Sequence, residues 1–149
     1  MADKGSVEKS LLKKLNKKKF YKEKAPKSLG REWFEKNILP QIENQNIKLT
    51  DLLATASQHI AEIISDEINN NGLKKILVTG GGAYNKDLIE RINSRIKYPL
   101  VVLDDLTVKF KEALIFAFLG YLRLNEEINT LSSVTGAKKD SSGGAIYLR

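Results

Sequence analysis

The sequence predicts an α/β fold that is rich in helices and contains a short, incomplete parallel sheet. Three observations support this prediction: a long helical pattern over residues 50–68, two short apolar runs at 75–79 and 99–103, and a glycine-rich turn between the first run and a further helix. The order strand, helix, strand, helix implies parallel strands. With 149 residues, 42% of them hydrophobic, the chain is long enough for one compact domain.

Residues 1–30 are predicted to form a basic helix and loop. The helix covers residues 6–18 with Ser6 as its N-cap, and Pro26 interrupts the loop that follows. This region holds 10 Lys against 3 acidic residues, whereas the rest of the chain holds 15 basic against 15 acidic residues. We interpret these lysines as a solvated helix face, so a nucleic acid is not expected as a partner.

Two helices are predicted before the first strand. Ser28 is expected to cap one that Pro40 disturbs, and Thr50 to cap a longer one. The longer helix carries apolar residues at helical spacing, namely Leu52, Leu53, Ala56, Ile60, Ile63, Ile64 and Ile68. Gly72 is expected to end it in a left-handed conformation.

A glycine-rich turn follows the first strand, which is predicted over residues 75–79. Gly80, Gly81, Gly82 and Ala83 are followed by a helix for which Asn85 is the predicted N-cap. Open α/β sheets bind nucleotides at such a junction, because backbone N–H groups and a helix N-terminus lie together at the carboxyl end of a strand. The turn matches neither the P-loop nor the dinucleotide fingerprint. A nucleotide-binding turn and an ordinary tight turn capped by Asn85 both remain open at this point.

The second half of the chain is predicted to contain a buried strand over residues 99–103 and a helix over 109–124 that is apolar nearly all round. Such a helix has to be covered on most sides. Residues 132–144 are interpreted as a loop, followed by a short strand at 145–148. Two or three strands are few for a sheet, so we expect a homo-oligomer, or another part of a larger protein, to complete the fold.

Several chemistries are excluded or disfavoured by composition. The chain has no cysteine, which excludes disulfides and thiol catalysis, and with no apolar run of membrane-spanning length it is expected to be cytoplasmic. Asp104 and Asp105 are interpreted as turn residues, so no metal site is predicted. The single histidine, His59, is expected to be a partly exposed structural residue.

Five segments together resemble a known family. They are Pro26–Phe34 (PKSLGREWF), Ala54–Ala56 (ATA), Val78–Asn85 (VTGGGAYN), Glu112–Phe118 (EALIFAF) and Val134–Ala137 (VTGA). In this order they resemble the C-terminal half of anhydro-N-acetylmuramic acid kinases, in the superfamily of sugar kinases, heat-shock ATPases and actin. The resemblance extends from about residue 5 to residue 144.

This resemblance implies an actin-like ATPase (ribonuclease H-like) fold, with residues 31–149 as the nucleotide-side lobe of a larger, two-lobed kinase. The implied enzyme uses ATP and Mg²⁺ to open the 1,6-anhydro ring of an amino sugar in peptidoglycan recycling and to phosphorylate its O6. The segment Gly80–Ala83 would then lie against the adenosine and phosphates, with Asn85 capping the next helix. Glu112 matches an acidic position on the substrate side. Lys27, Ser28 and Arg31 belong to a family motif without an assigned contact.

The family's N-terminal lobe, with its first phosphate loop and its water-activating aspartate, has no counterpart in this sequence. We therefore predict no catalytic residue in the chain and no kinase activity of the chain alone. Two functions stay open: the nucleotide-side lobe of a sugar kinase, and a non-catalytic nucleotide-binding or interaction module. A generic dinucleotide-binding domain is a weaker third possibility, suggested only by the position of Asp104 and Asp105 after the second strand.

Overall fold

A computed structural model describes residues 1–24, 27–43 and 46–147. Backbone contacts divide the chain into two compact units, residues 1–102 and 103–149, and each unit is described by itself. Pro26 and Leu148, which belong to a predicted loop and a predicted strand, lie outside the described residues. The predicted division of the chain at residue 30 stays a prediction.

The first unit contains five α-helices and two strands within the described ranges. They are α1 (Lys9–Asn16), α2 (Arg31–Asn37), α3 (Leu39–Glu43), α4 (Leu49–Asn70), β1 (Leu77–Val78), α5 (Lys86–Asn93) and β2 (Val101–Val102). Short 3-10 turns cover Ala2–Lys4, Lys19–Lys22 and Gly81–Tyr84. The second unit contains α6 (Asp105–Leu124) and α7 (Ser132–Thr135).

The segment before α1 is hydrogen-bonded to the beginning of α4. The Ser6 N–H donates to Asp51 Oδ1 at 2.8 Å, and the Glu8 N–H donates to Thr55 Oγ1 at 2.9 Å. Gly5 lies so close to α4 that a Cβ on it would be 2.0 Å from the carbonyl oxygen of Thr50. The prediction of Ser6 as an N-cap is therefore wrong, because this backbone is held by α4 and α1 begins three residues later, at Lys9.

Two further predicted caps are also wrong. The residue before α2 is Gly30 rather than Ser28, and α4 begins at Leu49, with Lys48 rather than Thr50 at the cap position. Neither cap makes a side-chain hydrogen bond to its helix. The end of α4 is as predicted, since Gly72 adopts a left-handed φ of +61°.

Two apolar clusters stabilise the first unit, and α4 contributes to both. The first is built on Leu11, Leu15 and Ile38, against which Trp33, Ile42, Ile47 and Leu52 pack. The second is built on Ala61, Ile68 and Ile92, against which Ile76, Leu88, Ile96 and Leu100 pack. The second cluster places α5 and the residues just before both strands against α4.

The sheet has two strands of two residues each, which pair in parallel with Leu77 opposite Val101 and Val78 opposite Val102. The parallel arrangement is as predicted, but burial of the second strand is not. Val101 and Val102 are 49% and 42% exposed. The apolar cluster extends to Leu100, just before β2, and does not include the strand residues themselves.

Helix α6 begins four residues earlier than predicted, because Asp104 caps it by accepting from the Thr107 N–H at 3.0 Å. Its apolar side chains are mostly exposed, among them Leu106, Phe110, Leu114, Phe116, Phe118 and Tyr121. The tail forms an antiparallel bridge between Thr130 and Ser141, while the described residues 145–147 form no strand. Of the helices that the structure describes, none has the length and hydropathy required to cross a bilayer.

Candidate functional site

The glycine-rich turn connects β1 to α5 in the first unit. Gly80 has φ +79° and ψ −179°, a conformation open essentially to glycine alone. The chain then forms a 3-10 turn over Gly81–Tyr84, closed by bonds from the Ala83 N–H to the Gly80 oxygen at 3.0 Å and from the Asn85 N–H to the Gly82 oxygen at 3.1 Å. The sequence predicted a tight turn here, but not its 3-10 conformation. The positive φ of Gly80 requires glycine at this position even if the turn binds no ligand.

Unlike Gly80, Gly81 and Gly82 are not required to be glycine by their backbone conformation or by packing. Both are exposed, both have an ordinary φ, and a Cβ built on either would meet no atom within 4 Å. The first N–H groups of a helical turn have no acceptor inside the turn itself. Open space beside such N–H groups is the arrangement that allows a phosphate to approach the backbone.

Asn85 caps α5, as predicted. Its side-chain oxygen accepts from the Leu88 N–H at 3.2 Å, so the amide group is already engaged with the helix. Ala83 is buried, and its side chain therefore faces the protein. Of the five residues predicted to bind a nucleotide, Gly81 and Gly82 offer open backbone, while Gly80, Ala83 and Asn85 shape the turn.

Glu112 lies in the second unit, on α6. Because α6 begins at Asp105, Glu112 is in the middle of the helix and not in its first turn, where the predicted start at residue 109 would place it. It is exposed. Helix-dipole stabilisation near an N-terminus therefore does not explain this acidic residue.

Lys27 and Arg31 of the family motif have structural partners. Lys27 is half-buried, donates to Glu67 Oε1 at 2.6 Å and to the Tyr21 carbonyl oxygen at 3.2 Å, and lies over the ring of Phe20. This pairing lowers the pKa of the Glu67 carboxyl. Arg31 is exposed and pairs with Glu35 at 2.7 Å.

His59 is more buried than predicted, with 7% of its surface exposed. Nδ1 lies 2.5 Å from Asn16 Oδ1 and Nε2 lies 3.1 Å from the Tyr21 hydroxyl. Since the Asn16 oxygen can only accept, Nδ1 carries the proton and Nε2 accepts from Tyr21. Burial lowers the pKa of His59, partly opposed by the charge of Glu62, and burial raises the pKa of Tyr21. These groups make a neutral structural network.

Asp104 caps α6, and Asp105 forms an ion pair within the first turns of the same helix. Asp104 accepts from the Thr107 N–H and hydroxyl, and these bonds lower the pKa of its carboxyl. Asp105 lies 3.4 Å from Lys109 Nζ. Within the described ranges, no group of three or more His, Asp or Glu residues could hold a metal ion.

An apolar cavity of about 200 Å³ lies in the helical part of the first unit. Its lining includes Leu15, Trp33, Ile38 and Ile60, with His59 among the few polar residues. A lining of this kind does not suit a phosphate group. The glycine-rich turn is not part of this cavity and lies on open surface.

These features define a class: a helix-rich α/β chain in which a glycine-rich turn leads from a parallel strand into a capped helix. The family model for anhydro-N-acetylmuramic acid kinase matches residues 1–149. The chain is 33% identical to the anhydro-N-acetylmuramic acid kinase of Hydrogenovibrio crunogenus over 99% of its own length and 42% of that protein. The corresponding kinase of Sulfurimonas denitrificans is 33% identical over 98% and 43% of the two chains, and that of Francisella tularensis subsp. novicida is 36% identical over 90% and 38%.

The chain therefore belongs to the anhydro-N-acetylmuramic acid kinase family, as the five segments predicted. It spans about two fifths of the length of these relatives.

Proposed function

We propose that this chain is the nucleotide-side lobe of an ATP-dependent anhydro-N-acetylmuramic acid kinase with an actin-like ATPase fold. The observation that carries the proposal is the open backbone at Gly81 and Gly82, at the carboxyl end of β1 and before α5. The relatives' names supply the reaction class, and the turn supplies a place for the phosphates.

In the proposed reaction, water attacks the anomeric carbon of the 1,6-anhydro sugar, the bond from that carbon to O6 breaks, and O6 takes the γ-phosphoryl group of ATP. The attacking water loses a proton to the water-activating carboxylate, and the products are a 6-phosphosugar, ADP and this proton. The contribution of this chain is binding and orientation: the N–H groups of the turn face the nucleotide, and Gly80 holds the turn in the required shape. Glu112 is proposed to face the sugar.

Mg²⁺ is proposed as the cofactor that neutralises phosphate charge in the complete kinase. The described residues contain no group of three or more potential ligands, so we assign no Mg²⁺ ligand to this chain. The water-activating carboxylate is proposed to belong to the N-terminal lobe. Phosphoryl transfer needs both sides of the cleft, so the chain alone is expected to give no phosphosugar with ATP, Mg²⁺ and the anhydro sugar. A cytoplasmic location stays a prediction.

The nucleotide site is tested by Gly82→Val in the full-length protein. A Val side chain fills the space through which the phosphates approach, so ATP affinity measured by calorimetry should fall by about tenfold or more while the helical circular dichroism signal stays the same. Gly120→Val is the matched control, because Gly120 is also exposed with open space around its Cβ position but lies on α6. Equal ATP affinity in wild type and Gly82→Val would show that the turn has a structural role only.

A non-catalytic module is the alternative function. It predicts that ATP binds to the full-length protein with no phosphosugar formed. Phosphosugar production that requires both Gly82 and Glu112 would exclude this alternative, whereas ATP binding without any turnover would support it.

A further inference from the structure

Polar contacts join α4 to α5 and to the residues that follow α5. Arg91, in the last turn of α5, reaches back to Asp87 in the first turn, with Nε 3.0 Å from each carboxylate oxygen of Asp87. Its Nη1 donates to Gln58 Oε1 of α4 at 2.8 Å. Beyond the end of α5, Asn69 Nδ2 of α4 donates to the backbone oxygen of Arg95 at 3.1 Å. The first contact is linked to the glycine-rich turn through Asp87, which lies in the first turn of α5.

Gln58 is itself held in one orientation. Its Nε2 donates to Glu62 Oε1 at 3.0 Å, and Glu62 in turn accepts from the side chain of Asn16 on α1. Both ends of the Gln58 amide group are therefore engaged, so its oxygen points at Arg91. The Arg91 and Asp87 side chains are only 21% and 18% exposed, which reduces the screening of their attraction.

We propose that Gln58 and Arg91 are positioning residues that fix the beginning of α5 and, through it, the glycine-rich turn. The connection is short: Asn85 both caps α5 and closes the 3-10 turn, and Asp87 follows two residues later. The link to ATP rests on the proposed function, because N–H groups can favour a phosphate only when they are held within about 0.5 Å of the right place.

The apolar contacts of α5 do not replace this polar link. Ile92 is buried against Ala61 and Ile68 and resists separation of α5 from α4. Apolar burial is non-directional, however, so it tolerates small shifts of the helix that keep its apolar face covered. The directional bonds from Arg91 restrict these movements at the end of α5 that carries the turn.

The first test compares Gln58→Ala with Asn69→Ala in the full-length protein by amide hydrogen exchange without nucleotide. Gln58→Ala removes a hydrogen bond from α4 to the Arg91 guanidinium, which pairs with Asp87 in the first turn of α5. Asn69→Ala removes a hydrogen bond from α4 to the Arg95 backbone, beyond the end of α5. Gln58→Ala should speed exchange of the Ala83 and Asn85 amides, whose bonds close the turn, by about threefold to tenfold. Asn69→Ala should leave these two amides unchanged. Gln58→Leu, which keeps side-chain volume, serves if the alanine variant does not fold.

The second test measures ATP and sugar affinity of the same variants. Gln58→Ala should weaken ATP binding by about threefold to tenfold with sugar affinity unchanged, and Asn69→Ala should change neither. Because Gln58 acts through Arg91, the double variant Gln58→Ala/Arg91→Met should bind ATP no more weakly than Arg91→Met alone.

The two tests separate the inference from the proposed function. Equal exchange at Ala83 and Asn85 in the two single variants overturns the positioning role, whatever the nucleotide data show. Faster exchange in Gln58→Ala, together with a wild-type protein that does not bind ATP, supports the positioning role and overturns the proposed nucleotide site instead. A loss of thermal stability in Gln58→Ala, with unchanged exchange at the turn and unchanged ATP affinity, would identify a merely structural bond.

Discussion

Alanine substitution at the three adjacent glycines should separate their contributions to stability. Gly80 has φ +79° and ψ −179°, where any residue with a Cβ is strained, so Gly80→Ala should lower the free energy of unfolding by about 1–3 kcal/mol. Gly81 and Gly82 have ordinary φ values and open space around the Cβ position. Alanine at either position should therefore be neutral or stabilise by about 0.4–1 kcal/mol, since it restricts the unfolded chain.

The assay is urea unfolding of the purified chain followed by circular dichroism, with the midpoint and slope determined for each variant. With a slope of about 1–3 kcal/mol per molar urea, the difference between Gly80→Ala and Gly82→Ala is large enough to measure. Wild-type stability of Gly80→Ala would show that the left-handed conformation is not required. A loss of more than about 1 kcal/mol in Gly82→Ala would show that packing, and not a ligand, accounts for this glycine.

Three other predictions concern the fold outside the turn. Burial lowers the pKa of His59 below 6.5, so below that pH the unfolded chain binds more protons than the folded chain. Urea unfolding should therefore show that the free energy of unfolding falls as the pH drops from about 6.5 toward 5. The fall should be smaller in His59→Gln. Ser65 is fully buried and its hydroxyl has no partner among the described residues, so Ser65→Ala should raise the free energy of unfolding by about 1 kcal/mol; a lower stability would indicate an unseen partner. Because Leu114 and Phe116 on α6 are each 71% exposed, the isolated chain should self-associate in sedimentation equilibrium at micromolar concentration, and a monomer that binds little apolar dye would contradict this.

The sequence predicted which helices and which turn exist more reliably than it predicted where the helices begin. Asn85 caps α5 and Gly72 ends α4 as predicted, because each depends on residues within a few positions along the chain. Ser6 was predicted as a cap on the same local grounds. Its backbone is instead held by Asp51, which is 45 residues away in the sequence, and no local pattern could indicate that contact.

The environment of the candidate site was less predictable than its residues. The glycines were found from their order after a strand, but the link from Gln58 to Arg91 joins residues 33 positions apart on two helices. His59 was expected to be partly exposed because its sequence neighbours are mixed; Asn16 and Tyr21, which bury and bind it, come from a distant segment. Burial of β2 was wrongly predicted from its apolar composition, since composition does not say whether anything covers a strand.

The packing of Gly5 on α4 has a consequence for the gene. A Cβ at this position would lie 2.0 Å from the Thr50 carbonyl oxygen and 2.8 Å from the Asp51 nitrogen, and both are backbone atoms that cannot turn aside. Every amino acid other than glycine has a Cβ, so each missense change in this codon meets the same obstacle. We therefore expect the codon for Gly5 to accept synonymous changes only.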